Sequence, residues 1–225
     1  MKEIVAYHEA GHAVIGALMP DYDMVQKVTI IPRSNGAGGL TFFAPSEARV
    51  ESRLYSRQYL EAQLAVALGG RLAEEIMFGE DEVTTGASND LQQVASIARR
   101  MVSQWGMSEK VGPLVVGGGG GGNPFMGRSM GEQADSWGSD IMKEVDDEVE
   151  RVVNNAYLVG KKILQDNKAL LESLALKLIE QETVSAEELS LMITEHNVVM
   201  GPYGVYGTDQ NREKLPFQRQ PASVM

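Results

Sequence analysis

The chain has 225 residues, 43% of them hydrophobic, and a formal net charge of −11. That balance suits a soluble globular chain of one large or two small domains, and its acidity argues against nucleic acid, since phosphate binding needs a basic face. With no cysteine, disulfides, thiolate metal sites and cysteine nucleophiles are excluded together.

Residues 3 to 18 read as a helix with an apolar stripe through Ile4, Val5, Val14, Ile15 and Leu18, stopped by Pro20 and Asp21. It contains His8-Glu9-Ala10-Gly11-His12, the pattern H-E-x-x-H. Two histidines at i and i+4 lie on one helical face, one turn apart, where both rings reach one metal ion. Glu9 between them is placed to take a proton from a water that the metal activates. Only three histidines occur in the chain, so two at ligand spacing around a glutamate are read as ligands rather than as helix-face residues. No secretory signal is visible, because these first residues already belong to a helix, and no apolar run approaches the ~20 residues of a membrane helix. A catalytic helix beginning at residue 3 suggests a piece of a longer protein.

Residues 24 to 31 look like a strand ended by Pro32 and, after a turn at Ser34-Asn35-Gly36, Gly39 to Phe43 like a second. Gly39, Leu40 and Thr41 lie on an edge that could take an extended peptide as an added strand. A long helix is expected over 56–78, with Leu60, Leu64, Ala67, Leu68, Leu72 and Ile76 inward. Gly69-Gly70 inside it is read as a close-packing point, and Gly79 as the stop.

Ser88 or Asn89 caps the next predicted helix, which runs to about Trp105, with Gln92 completing a capping box from Asn89. Asp90 falls in its first turn, where an acid is favoured by the helix dipole alone. A catalytic zinc needs a third protein ligand and keeps one position for water; Asp90, Glu74 and Glu75 are all candidates, and spacing does not separate them. Residues 113–131 read as a glycine-rich mobile loop. Gly122 to Ser129 within it nearly matches a phosphate-binding loop, but the lysine that such a loop requires is missing and no helix follows.

A long amphipathic helix is predicted over 139–165, its inward side carrying Ile141, Val145, Val149, Val152, Val153, Ala156, Val159 and Ile163. Asp146, Asp147, Glu148 and Glu150 read as its solvated face. A helix over 168–182 follows. Ser185 to Glu188 then caps a final helix to about His196, read as a surface histidine at a helix C-terminus. The domain is expected over 1–198 and an aperiodic, disordered tail over 199–225.

Taken together, Val5 to Ala13, Lys27 to Arg33, Gly39-Leu40-Thr41, Ala67 to Glu75 and Thr84 to Leu91 resemble, in order, the peptidase domain of the FtsH family of ATP-dependent, membrane-anchored zinc proteases. The match is dense over about the first 110 residues and looser beyond, where Glu180 to Val184 is similar to a late family segment. Asn123 to Gly127 looks like the chloroplast and cyanobacterial branch, while the tail beyond His196 matches nothing in the family.

The resemblance implies a mainly α fold with a small sheet beside the H-E-x-x-H helix. It implies one Zn2+ per subunit held by His8, His12 and Asp90, Glu9 as general base, and Glu74 as a supporting neighbour. It also implies a hexameric ring of like subunits, homo- or heteromeric, that degrades unfolded, damaged or membrane proteins. The ATP-using module and membrane anchor would lie outside this chain. The expected setting is the thylakoid membrane with the domain in the stroma, or else a cyanobacterial or other bacterial membrane with the domain in the cytoplasm. The competing reading is a non-proteolytic scaffolding subunit of such a ring. The intact Glu9 speaks against it, because a structural site has no use for a base.

Overall fold

The computed structural model describes residues 2–20, 22–32, 38–116 and 138–202. The turn expected at 34–36, most of the glycine-rich run and most of the expected tail fall outside these residues. Within them the order is α1 (Lys2–Leu18), β1 (Met24–Thr29), β2 (Leu40–Ala44), α2 (Glu47–Ser52), α3 (Arg57–Phe78), α4 (Ser88–Ser103), α5 (Ser139–Asp166), α6 (Lys168–Gln181), β3 (Thr183–Ser185) and α7 (Ala186–Glu195). Short 3-10 turns occupy Glu80–Glu82 and Thr85–Ala87. The fold is mainly α with one small sheet, as expected. None of the described helices is long and apolar enough to cross a membrane.

Everything is arranged round α1. Its residues from Glu9 onward are buried on every side, because α3, α5, α6, β1 and β2 all pack against it. The apolar stripe accounts for one side only; glycine and alanine let neighbours approach the others. At Gly11 and Gly69 the backbones of α1 and α3 meet, and a Cβ on Gly11 would stand 2.2 Å from the Gly69 carbonyl oxygen. The glycine pair is therefore a packing point, and α3 runs through it unbroken. Ser56 caps α3 by accepting from the Tyr59 amide, and Gly79, at φ +98°, ends it.

The sheet has three strands, in the order β2-β1-β3, where two were expected. β1 and β2 are antiparallel with a bulge between Val25 and Lys27, and β3 adds on the other side of β1, Val184 opposite Val28. Three residues are too few to show strand alternation. Long-range bonds hold β3 to β1: the Glu182 carbonyl accepts from the Ile30 amide, and the Thr29 and Thr183 hydroxyls meet at 3.0 Å. α2, only six residues long, was not foreseen either. Arg49 anchors it by donating to the buried Asp23 carboxylate and lying over the Tyr59 ring.

α5 follows the predicted span and inward face, with one correction. Glu148, assigned to the solvated side, is only 2% exposed. Arg151 grips its carboxylate through two nitrogens at 2.6 and 2.8 Å, and the Ser108 hydroxyl donates to it at 2.9 Å, tying the loop after α4 to α5. A heptad pattern shows where an acid lies on a helix but not that a loop will close over it.

The Arg151 guanidinium, opposed by burial and helped by Ser108, holds the Glu148 carboxyl below its ordinary value of 4.5. A depressed folded pKa contributes stability above the unfolded value, which is lost as pH falls through the folded one. Glu148→Gln is expected to cost about 1–3 kcal/mol at neutral pH. In thermal melts that gap should begin to narrow below the unfolded value and close as pH falls through the folded one, and a gap unchanged down to pH 3 would refute the assignment.

The last helix carries the expected capping box, Ser185 and Glu188 each bonding the other's amide. His196, expected at the surface, is half-buried at its end, Nδ1–H donating to the Met192 carbonyl and Nε2 accepting from Ser173. Residues 199–201, assigned to the tail from sequence, are tied to the fold through their backbone, although the Val199 side chain is exposed. Asn167 bonds both the amide and the carbonyl of Val199, and the Gly201 amide donates to the Leu18 carbonyl at the end of α1.

Candidate metal centre

α1 presents His8, Glu9 and His12 to a cleft of about 590 Å³ between α3, β2 and the start of α4. The His12 ring is fixed by α3: its Nδ1 lies 2.7 Å from the Val66 carbonyl oxygen, which can only accept, so the proton sits on Nδ1 and Nε2 carries the lone pair. His8 is fixed similarly, with Nδ1 2.7 Å from Glu74 Oε1. Both Nε2 atoms therefore turn toward the same point. They stand 3.2 Å apart.

Asp90 completes the set. Its Oδ2 lies 3.4 Å from His8 Nε2 and 3.6 Å from His12 Nε2. Tetrahedral zinc with ligands at roughly 2.0–2.1 Å sets its ligand atoms about 3.3–3.4 Å from one another, so this triangle has the size zinc requires. Among the described residues, His8, His12 and Asp90 form the one group of metal-binding side chains at such spacing. Nitrogen and carboxylate donors without thiolate suit zinc.

The electrostatics point the same way. Burial draws the His8 imidazole down, but the Asp90 and Glu74 carboxylates outweigh it and lift the ring to about 9. For Asp90 burial acts upward, and the His12 and His8 rings overcome it to hold the carboxyl well below the usual range. The pocket demands positive charge, which a proton on His8 or a divalent cation can supply.

Glu74, 1% exposed, does more than orient His8. Its Oε2 accepts from the Thr84 amide at 2.7 Å, so one carboxylate ties His8 on α1 to the segment that delivers Asp90. Burial raises its pKa, while the bonds from His8 and Thr84 prevail and keep it ionised. Glu75 points elsewhere and accepts from Tyr157 and Lys161 of α5. His196 lies outside the metal-binding group.

Asp90 sits in the first turn of α4, but the capping box expected from Asn89 and Gln92 does not form. The Thr85–Ala87 turn runs directly into α4, the Ser88 amide bonds the Thr85 carbonyl, and the Ala87 N-cap contributes no side-chain bond. A helix entered from a 3-10 turn has its leading amides partly satisfied already.

Three further contributions were not read from sequence, although Thr41 was expected on a peptide-binding edge. Thr41 Oγ1 donates to Glu9 Oε2 at 2.8 Å. Gly70 lies against the His8 ring, where a Cβ would come within 2.4 Å of Nε2. Val66 acts through its carbonyl, which no side-chain pattern reveals. Gly70 left a signal as half of an unusual glycine pair inside a helix, whereas nothing local pointed from Thr41 to Glu9.

Comparison with known proteins gives a consistent result. The family model for peptidase family M41 matches residues 1–192. The chain is 56% identical over 196 residues to the ATP-dependent zinc metalloprotease FtsH 3 of Synechocystis, covering 87% of this chain and 31% of that protein. It is 58% identical over 193 residues to the chloroplastic ATP-dependent zinc metalloprotease FTSH 5 of Arabidopsis thaliana, covering 85% and 27%. An ATP-dependent zinc metalloprotease FtsH of Synechococcus is 48% identical over 201 residues, covering 89% and 31%. The chain thus spans less than a third of the length of these curated relatives.

Proposed function

The chain belongs to peptidase family M41, and from that membership we propose that it is the zinc-dependent endopeptidase domain of an ATP-dependent protease, with zinc held by His8, His12 and Asp90. The observation that carries this reading is the triangle of His8 Nε2, His12 Nε2 and Asp90 Oδ2, with sides of 3.2, 3.4 and 3.6 Å. Zinc in such a set supplies Lewis-acid chemistry, acidifying water and polarising a carbonyl oxygen.

The chain's own residues supply the rest. Glu9, one residue from a ligand and lining the same cleft, takes the proton of the attacking water on its carboxylate and passes it to the leaving amine nitrogen. Glu74 keeps His8 in the tautomer whose Nε2 is free to bind metal, as carboxylate partners of metal-bound histidines do. β2 is the sheet's edge, with no strand on its outer side among the described residues. Leu40 and Thr41 in it, with Gly39 just before it, can hold an extended peptide by backbone bonds beside the site.

The rest of the reading concerns the longer protein. We place this domain in a hexameric ring of like subunits, anchored to a membrane and fed with unfolded, damaged or membrane proteins by an ATP-using module. The chloroplastic and cyanobacterial relatives favour a thylakoid or cyanobacterial membrane. A scaffolding role is disfavoured by a buried glutamate placed in the cleft beside the ligand set.

An anomalous-scattering map at the zinc edge tests the site. One peak bounded by His8, His12 and Asp90 is expected. A peak held by Glu74 in place of Asp90 would refute the ligand set, and no peak in zinc-supplemented crystals would refute the metal assignment.

A further inference from the structure

A general base works only if its accepting oxygen is held in place, and a displacement of about 1 Å can cost on the order of a hundredfold in rate. A glutamate side chain left to itself has several rotatable bonds through which to wander. Two features at the start of β2 restrict Glu9. On one side Thr41 Oγ1 lies 2.8 Å from Oε2 and 3.2 Å from the Glu9 carbonyl oxygen. The hydroxyl has one hydrogen to give, and the shorter contact is to the charged acceptor, where such a bond is stronger.

On the other side lies the backbone of Gly39. A Cβ there would stand 2.6 Å from Glu9 Cγ, 2.8 Å from Oε1 and 2.9 Å from Cδ. Gly39 is not among the glycines with positive φ, so its backbone does not demand glycine. What it provides is room, and the atoms filling that room belong to Glu9. The carboxylate is thus lodged between a hydroxyl donor and a strip of bare backbone, and Glu9 is 7% exposed.

We infer that the Gly39–Thr41 segment is the seat of Glu9, and that Thr41 is a positioning residue for hydrolysis, acting through Glu9. The inference rests on Glu9 being the proton acceptor proposed above. A strand that seats the base and also offers its edge to a peptide sets base and peptide against each other through a single backbone.

Three variants of the zinc-loaded protein, assayed on a quenched fluorogenic peptide and by zinc titration, test this. Thr41→Val keeps the shape and removes the donor. Its kcat is expected to fall about tenfold or more, with KM and zinc affinity within about twofold of wild type. Thr41→Ser restores the hydroxyl and should recover kcat to within about threefold. Gly39→Ala should lower kcat as Thr41→Val does, with the Glu9 carboxylate displaced in its crystal structure.

Wild-type kcat in Thr41→Val would overturn the inference. So would Thr41→Ser as impaired as Thr41→Val, because packing would then be the cause, or zinc affinity falling in step with kcat. Glu9→Gln distinguishes the two levels. If it hydrolyses at the wild-type rate, the assignment of Glu9 fails; if it is inactive while Thr41→Val is fully active, only the seat fails.

Discussion

Glu9→Gln is expected to lose peptide hydrolysis by roughly 10²–10⁴-fold, the usual contribution of a general base, while zinc content and melting temperature stay at wild-type values. The separation of effects follows from the geometry. Glutamine has the same shape, so the space beside Gly39 remains filled and its amide oxygen can still accept from Thr41 Oγ1. The ligand triangle does not include Glu9, and His8 and His12 are held by Glu74 and Val66 rather than by it. The amide cannot take a proton from water. Metal analysis, a thermal melt and a peptide assay on one preparation decide the matter. Retention of more than about a tenth of the wild-type rate would be incompatible with the base assignment.

The second large effect concerns a residue with no side chain. Gly70→Ala is expected to weaken zinc binding by about a hundredfold or more, at or beyond the upper end of what loss of a supporting group costs. A Cβ at this position would stand 2.4 Å from both Cε1 and Nε2 of His8 and 2.6 Å from Cδ2, so the ring must leave the triangle. The helix itself should not suffer, since alanine is preferred over glycine in a helix interior by about 1 kcal/mol. Gly11→Ala supplies the contrast. Its Cβ would meet backbone, 2.2 Å from the Gly69 carbonyl oxygen, so α1 and α3 must move apart and the melting temperature should drop. Zinc titration of Gly70→Ala checks this directly: unchanged affinity would mean that the ring has another place to go, and that Gly70 does not set its position.

The histidine pair was legible in the chain because i and i+4 on a helix are neighbours whatever the remaining residues do, and the structure brings His8 and His12 together as expected. The capping box at Ser185 and Glu188 was legible for the same local reason. Its counterpart at Asn89 and Gln92 has the right letters but did not form, because the chain enters α4 through a 3-10 turn.

Short stretches of sequence were enough to specify the long helices, the glycine packing point in α3, the paired histidines with a glutamate between them, and through their motifs the family. Each is encoded within a few consecutive residues, where backbone periodicity alone dictates which side chains meet. Which of three acids faces the histidines was settled only by tertiary packing. Glu74 and Glu75 are adjacent on α3, yet one turns to His8 and the other to α5, while Asp90 arrives from a different helix. The same packing covers Glu148, brings β3 into the sheet, and lets Thr41 grip Glu9 across 32 positions of sequence. Contacts of that range depend on how helices cross and strands pair, and no local period records them.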